Sequence, residues 1–161
     1  MSSVTLEKAL CDRLKVEEGF RQFPYWDCCG QPVRACECQV RGKLTIGHGR
    51  NLEDVPLSVY EAELMVLNDI HRAVVQCRLM LKFFDLLDVP RQVVLADMAF
   101  NMGIGTDKPP AGLLGFVKML EAVRGLKFDR AALEMLDSKW ARQVGSRAAK
   151  LAAVMRTGVL E

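Results

Sequence analysis

One stretch of the chain, residues 20–50, interrupts an otherwise helical pattern and limits the folds that the chain can adopt. It contains six glycine or proline residues, four of the six cysteines and short runs such as KLTIG. Glycine and proline at this density end helices, and short runs between them are typical of an antiparallel hairpin or small sheet. The stretch therefore predicts a sheet of two or three strands inside a mainly helical chain.

Helical periodicity flanks this stretch on both sides. Before it, leucines recur every four residues within residues 5–18, and Gly19 stands where such a helix would end. After it, Ser58 and Glu61 have the spacing of a capping box and open about seven turns of helical pattern. Asp88 has the character of another N-cap, and further helical runs follow. This order predicts an α+β, mostly α-helical fold in which the long helix connects two lobes.

Composition and charge exclude several classes of protein. The 161 residues are 50% hydrophobic and 26% charged, and the net charge of +2 is too small to indicate a nucleic-acid partner. The N-terminal residues lack the apolar core of an export signal, and no run reaches the length of a membrane span. We therefore expect a protein made in a cytoplasm, without nucleic acid and without stable membrane association. Five basic residues and no acidic one between 138 and 158 are typical either of a face for an anionic polymer or of a solvated helix face.

Two carboxyl groups near the predicted sheet are candidates for acid–base chemistry. Glu18 falls at the C-terminal end of the first helix, where the helix dipole favours a protonated carboxyl, as a general acid requires. Asp27 follows among turn residues, where a carboxylate stays ionised. Thr45, on the predicted strand LTIG, has a hydroxyl that could hold a water nearby. Two carboxyls in opposed environments are the machinery of glycoside hydrolysis.

The same residues resemble a known family. The succession of EEGFR, YWD and LTIGHGR is similar to that of the phage T4-type lysozymes, the endolysins of glycoside hydrolase family 24, whose pattern is E-G-x-R, Y-x-D and T-I-G-x-G-H. RQVVLADMAFNMG resembles the central helix of that family, and GF, SKWARQ, SRAAK and RTG follow in the family's order. The resemblance extends over roughly residues 5–158.

The resemblance implies a muramidase that hydrolyses the β-1,4 bond between N-acetylmuramic acid and N-acetylglucosamine in peptidoglycan. Glu18 would be the general acid that protonates the glycosidic oxygen, and Asp27 with Thr45 would position or activate the water. Inversion at the anomeric carbon is favoured, although the carboxyl separation that decides it is not given by a sequence. The substrate-cleft residues that the resemblance implies are Phe100, Asn101 and Arg147, with the arginine facing the catalytic glutamate.

The resemblance also implies how the chain is organised and where it acts. It implies a single lysozyme-like catalytic domain and an endolysin for host cell lysis. This protein would be monomeric, would need no cofactor or metal, and would have peptidoglycan glycan strands as its partner. It would accumulate in the host cytoplasm and reach the cell wall once a holin opens the inner membrane. The implied parts are an N-terminal lobe over about 12–57, a connecting helix over about 58–82, and a C-terminal helical lobe over about 83–161 that also includes helix 1.

Two other functions compete with hydrolysis. A non-catalytic lysozyme-like module could bind peptidoglycan, although the complete set of Glu18, Asp27 and Thr45 argues against it. A lytic transglycosylase needs the acid but no water, so Asp27 and Thr45 argue against that reaction too. The two reactions differ in product, because the transglycosylase leaves a 1,6-anhydro end where hydrolysis leaves a reducing end.

The motif LTIGHGR departs from the family pattern at its end. His48 occupies the variable position between two glycines, so we expect the chemistry of this motif to lie with Thr45 and not with the histidine. Arg50 stands where the family has histidine. Glu17 stands at a position that is often acidic in the family and pairs with that histidine, so the resemblance implies a Glu17–Arg50 ion pair that keeps the charge complementarity and loses the pH sensitivity of a histidine.

Eighteen positions separate Asp27 from Thr45, more than in the compact hairpin of the family. Three interpretations of the cysteines in this segment compete: free thiols, one or two disulfides, or a structural zinc site with four thiolates. The spacing is not the usual C-x2-C, so the metal signal is weak. These clustered cysteines are Cys28, Cys29, Cys36 and Cys38.

The other two cysteines, Cys11 and Cys77, lie at core-like helical positions and are predicted to be buried.

Overall fold

The computed structural model describes residues 5–33, 35 and 42–160 of the chain. Within these residues it contains seven α-helices, two short 3₁₀ helices and one antiparallel sheet of three strands. The predicted α+β, mostly α-helical class is therefore confirmed. The chain divides into two compact units, Met1–Ala62 and Glu63–Glu161. The lobe boundaries implied by the resemblance, and the grouping of helix 1 with the C-terminal lobe, stay predictions.

In its described residues, the first unit contains one helix followed by the sheet and then the start of a second helix. Thr5 caps the helix by accepting a hydrogen bond from the amide of Lys8 at 3.3 Å. Gly19 ends the helix with a left-handed φ of 64°, as the sequence predicted. The sheet order is β1-β2-β3, so β2 is the central strand. The elements are α1 Leu6–Glu18, β1 Arg21–Trp26, β2 Leu44–Gly47 and β3 Arg50–Asn51.

The burial predicted for Cys11 is wrong. Its side chain is exposed, and α1 contains no buried residue. The leucine stripe of α1, including Leu6 and Leu10, is exposed as well. Helical periodicity specifies which face of a helix is apolar but not which surface covers it, and the prediction for Cys11 rested on periodicity alone.

The second unit is helical and holds the hydrophobic core. Cys77 lies fully buried in this core, as predicted, together with large side chains such as Phe84, Leu95 and Met98. Among the described residues, no helix combines the length and the apolar character that crossing a bilayer requires. Short 3₁₀ helices lie at Phe84–Leu86 and Leu113–Gly115. The α-helices are α2 Val59–Met80 (which begins in the first unit), α3 Val89–Met102, α4 Val117–Arg124, α5 Phe128–Leu136, α6 Lys139–Val144 and α7 Ser146–Thr157.

Both capping patterns read from the sequence form hydrogen bonds. Ser58 Oγ accepts the amide of Glu61 at 3.2 Å, and the Glu61 carboxylate accepts the amide of Ser58 at 2.8 Å. These reciprocal bonds are a capping box at the start of α2. Asp88 caps α3 by accepting the amide of Arg91 at 3.0 Å. The two helices therefore begin where the sequence predicted.

Candidate active site

Glu18 is the last residue of α1, and its carboxylate lies against the turn that follows β2. A methyl group at Gly49 would come within 2.6 Å of Glu18 Oε2, so the glycine leaves the space that the carboxylate occupies. Gly49 also has a left-handed φ of 73°, which glycine adopts without strain. Gly49 of LTIGHGR therefore serves the placement of Glu18 as well as the turn itself.

Asp27 follows β1 and is held by the main chain of Lys43. The amide of Lys43 donates to Asp27 Oδ1 at 2.7 Å, and the carbonyl of Lys43 accepts the amide of Asp27 at 3.1 Å. This pair of bonds extends the β1–β2 pairing by one residue beyond Trp26 and Leu44. One carboxylate oxygen of Asp27 is thereby fixed in direction, while the side chain as a whole stays exposed.

Thr45 lies in the central strand and is only 4% exposed. Its hydroxyl donates to the carbonyl of Lys43 at 3.2 Å. In the sheet it is paired with Tyr25 on one side and with Asn51 on the other, so its position is set from both neighbouring strands. Because its proton is used by Lys43, the hydroxyl oxygen keeps its lone pairs for an incoming donor such as water.

The first unit therefore brings the predicted catalytic residues to one sheet. Asp27 and Thr45 both bind main-chain atoms of Lys43, and the Glu18 carboxylate lies against Gly49, two residues beyond the end of β2. The sequence did not indicate a role for Lys43, because Lys43 contributes main-chain atoms, and these are the same in every residue type. The roles of all these residues stay predictions.

The ion pair predicted between Glu17 and Arg50 is not the one that forms. Arg50 Nη1 pairs with Glu61, and Arg50 Nη2 donates to the carbonyls of Val55 and Pro56 at 3.3 and 2.6 Å. Glu61 is drawn to this site by its own capping bonds at the start of α2. Hydrogen bonds from the amide and hydroxyl of Ser58, together with the Arg50 guanidinium, lower the pKa of Glu61 from its usual 4.5.

The imidazole ring of His48 contacts the ring of Phe20. Its imidazole is stacked at a tilt against Phe20, with ring centroids 5.5 Å apart and an interplanar angle of 47°. Phe20 follows the helix stop at Gly19, so the contact joins the end of α1 to the turn after β2. The interpretation of His48 as a non-catalytic residue stays a prediction.

The predicted cleft residues Phe100, Asn101 and Arg147 all belong to the second unit. Arg147 donates to Oδ1 of Asp97 from Nε at 3.1 Å and from Nη2 at 2.8 Å. Asn101 Oδ1 accepts a hydrogen bond from the indole N–H of Trp140 at 2.8 Å. The Asn101 amide thereby supplies the hydrogen-bond partner of a tryptophan in the core. Their roles in binding substrate, and the predicted placement of Arg147 opposite Glu18, stay predictions.

Phe100 and Arg147 line the same apolar groove of about 450 Å³ in the second unit. Val66, Ile70 and Val93 supply much of its apolar surface. Asp97 was missed at the level of sequence because it precedes its partner by 50 positions, a separation at which spacing carries no information. Its carboxylate compensates the charge of the arginine at the groove.

Two of the cysteines that the structure describes differ sharply in environment. Cys28 is exposed directly after Asp27. Cys77 donates to the carbonyl of Leu95 at 3.8 Å, and burial raises the pKa of its thiol to about 11. Cys36 and Cys38 lie outside the described residues, so the choice among thiols, disulfides and a zinc site with Cys28 and Cys29 stays open. In the described part of the chain, no three His, Cys, Asp or Glu side chains are grouped as a metal site.

Comparison with known proteins corrects the family assignment. No family model matches the chain. The chain is 28% identical over 170 residues to the pre-baseplate central spike protein Gp5 of Enterobacteria phage T4, and the match covers 95% of this chain. The chain spans about 28% of the length of that protein. The assignment to the phage T4-type endolysins of glycoside hydrolase family 24 is therefore wrong: it rested on short motifs, and similarity along the whole chain leads to a central spike protein of a phage.

Proposed function

We propose that the chain is a muramidase of phage origin that hydrolyses the β-1,4 bond between N-acetylmuramic acid and N-acetylglucosamine in peptidoglycan. Glu18 acts as the general acid on the glycosidic oxygen. Asp27 and Thr45 hold the water that attacks the anomeric carbon. The glycan strands of peptidoglycan are the substrate and partner.

The observation that carries this proposal is that Asp27 and Thr45 both bind the main chain of Lys43, one at its amide and the other at its carbonyl. The amide donates to Asp27 Oδ1 and the carbonyl accepts from the Thr45 hydroxyl, at 2.7 and 3.2 Å. Within the described part of the chain, the second carboxylate oxygen of Asp27 accepts no hydrogen bond, and the Thr45 hydroxyl oxygen keeps its lone pairs, so both can accept from a water. A water that donates to both acceptors turns its own lone pair away from them, which is the arrangement a nucleophilic water needs.

The comparison supports the biological setting of the proposal. The similar protein is named as a central spike protein of a bacteriophage. We therefore propose that this chain acts on the cell wall as part of a phage protein of that kind and not as a freely released lysis enzyme. The alternative of lytic transglycosylation is disfavoured by the same pair of water-holding groups.

The test compares Glu18→Gln with Glu17→Gln on purified Gram-negative peptidoglycan. Both substitutions remove one carboxylate from the end of α1, and only the first removes the proposed acid. We expect the wild type and Glu17→Gln to release muropeptides with reducing ends, and Glu18→Gln to be slower by about 100-fold or more. Mass spectrometry of the soluble products is the measurement.

Each other outcome contradicts a named part of the proposal. Products with 1,6-anhydro ends would replace hydrolysis by transglycosylation. A wild type that pellets with peptidoglycan but releases nothing would be a binding module. If Glu18→Gln and Glu17→Gln release muropeptides at the same rate, Glu18 is not the general acid.

A further inference from the structure

Segment 28–42 leaves the sheet after Asp27 and returns to it before Lys43. Its described first part folds back onto β1, where the amide of Gly30 donates to the carbonyl of Trp26 at 2.8 Å. Arg21 Nη1 donates to the carbonyl of Gly30 at 2.7 Å. The returning end of the segment is Gly42, which lies directly beside Asp27.

Gly42 leaves no room for a side chain. A Cβ atom at this position would lie 2.0 Å from Asp27 Oδ1, 2.7 Å from the amide nitrogen of Cys28 and 2.8 Å from Cys28 Cβ. Gly42 is not among the glycines with a left-handed φ, so the backbone conformation itself does not require glycine. The requirement at this position is steric, and the group that imposes it most closely is the Asp27 carboxylate.

We propose that Gly42 and the main chain of Lys43 form a positioning element for Asp27. Because Gly42 has no side chain, the Lys43 amide can donate its hydrogen bond to Oδ1 of Asp27. This inference rests on the proposed hydrolysis. A side chain at residue 42 pushes Oδ1 away from the Lys43 amide and turns the free oxygen away from the water shared with Thr45.

The side chain of Lys43 keeps the element in place. Its ammonium group is 3.1 Å from Asp54 Oδ1 and 3.4 Å from Glu53 Oε2. The hydrogen bond with Asp54 and its charge, followed by those of Glu53, raise the pKa of Lys43. The peptide that holds Asp27 is thereby tied to the loop after β3 as well as to the sheet.

The test measures peptidoglycan hydrolysis by Gly42→Ala, Asp27→Ala and the double variant. Misplacement of a reacting group by about 1 Å costs about 100-fold in rate, so we expect Gly42→Ala to lose about 100-fold in kcat with little change in KM. The double variant should be no slower than Asp27→Ala, because the carboxylate that Gly42 positions is already absent. Gly125→Ala is the matched control: its φ is −85°, its Cβ would meet Glu121 O at 3.4 Å, and its activity should be that of the wild type.

A second readout is independent of activity. In the wild type the NMR resonance of the Lys43 amide should respond to acid titration through its bond to Asp27, and this response should be lost in Gly42→Ala. Should Gly42→Ala not fold, the same titration in the wild type and in Asp27→Asn decides whether the amide holds the carboxylate.

The remaining outcomes overturn the inference in distinguishable ways. Wild-type kcat in Gly42→Ala, or a further loss of rate in the double variant, shows that residue 42 does not act through Asp27. If the wild type is active but its Lys43 amide resonance does not shift during the titration, the proposed hydrolysis stands and the proposed positioning element is overturned. If the wild type is inactive but its Lys43 amide resonance responds to the acid titration, the proposed function is overturned, and the hydrogen bond to Asp27 has no catalytic role.

Discussion

Gly47 and Gly49 flank His48 in one turn, and their similar backbone conformations separate two effects of a side chain. Their φ angles are 67° and 73°, so alanine is strained to the same degree at both. A methyl group at Gly47 would meet nothing within 4 Å, whereas one at Gly49 would lie 2.6 Å from Glu18 Oε2. The two positions therefore differ in their effect on the proposed acid.

We expect Gly49→Ala to lower the rate of hydrolysis by about 10-fold to 100-fold, because it displaces the Glu18 carboxylate. Gly47→Ala should keep the wild-type rate. Both variants should lose a similar free energy of unfolding, about 1–2 kcal/mol, from the left-handed backbone alone. The measurements are reducing-end release and denaturant unfolding. Equal rates for the two variants would show that Gly49 has no bearing on Glu18.

Single residues were predictable where their partners are close in sequence. Ser58 and Glu61 are three positions apart, and their capping box could be read directly from the chain. Lys43 and Asp27 are 16 positions apart, and their bond was not predictable because sequence spacing does not tell which distant residues meet. Arg50 shows the same limit, since its predicted partner Glu17 was taken from the pattern of the family and the observed partner is Glu61.

Among the elements, the start of α2 joins a capping box to an ion pair. Glu61 accepts bonds from Ser58 and also pairs with Arg50 beside the sheet. These contacts favour the ionised carboxylate, which is why the pKa of Glu61 lies below 4.5 in the folded protein. A depressed pKa of this kind stabilises the fold above 4.5 and ceases to do so as the pH falls through the folded value.

We expect Glu61→Gln to destabilise the protein at neutral pH and to do so less under acid conditions. The difference in unfolding free energy between the variant and the wild type should shrink as the pH falls from neutral to below 4.5, because the stabilisation from the ionised carboxylate is lost as the pH falls through its lowered pKa. Denaturant unfolding over this pH range is the measurement. A difference that stays constant with pH would contradict the role given to the charge of Glu61.

At the scale of the whole molecule, Arg91 connects distant parts of the second unit. It is only 9% exposed, lies 3.6 Å above the ring of Phe128 and pairs with Asp88. Its Nε donates to the carbonyl of Met155 at 2.8 Å and its Nη2 to that of Arg156 at 3.1 Å. One side chain therefore joins the start of α3 to α5 and to the last turn of α7.

Replacement of Arg91 by methionine should destabilise the fold by about 3 kcal/mol, because it removes the guanidinium that donates to the carbonyls of Met155 and Arg156 and pairs with Asp88. Arg130→Met is the control, since Arg130 is itself exposed where it pairs with the half-buried Glu134 on α5, and its loss should cost less than about 1 kcal/mol. Denaturant unfolding of both variants checks the prediction. Equal losses would mean that the buried bonds of Arg91 contribute no more than a surface pair.

The fold class was predictable because each of its elements has a local signal, such as Asp88 before α3 or Gly19 after α1. The exposed Cys11 shows where this reasoning ends. Periodicity identified the apolar face of α1, and only packing decides whether such a face is covered. The fold follows from local patterns, whereas the pairs Arg147–Asp97 and Trp140–Asn101 follow from long-range packing.

The hydrogen bonds between Asp27 and Lys43 also bear on how such a chain can change over evolutionary time. The backbone leaves and re-enters the sheet at one hydrogen-bonded pair, so the ends of segment 28–42 are fixed whatever lies between them. Doubling the length of a flexible loop costs only about 0.6 kcal/mol in closure entropy. We therefore expect added length after residue 35 to cost little stability as long as Asp27, Gly42 and Lys43 are kept. The hydrogen bonds that orient a carboxylate would then also let the chain acquire new length beside it.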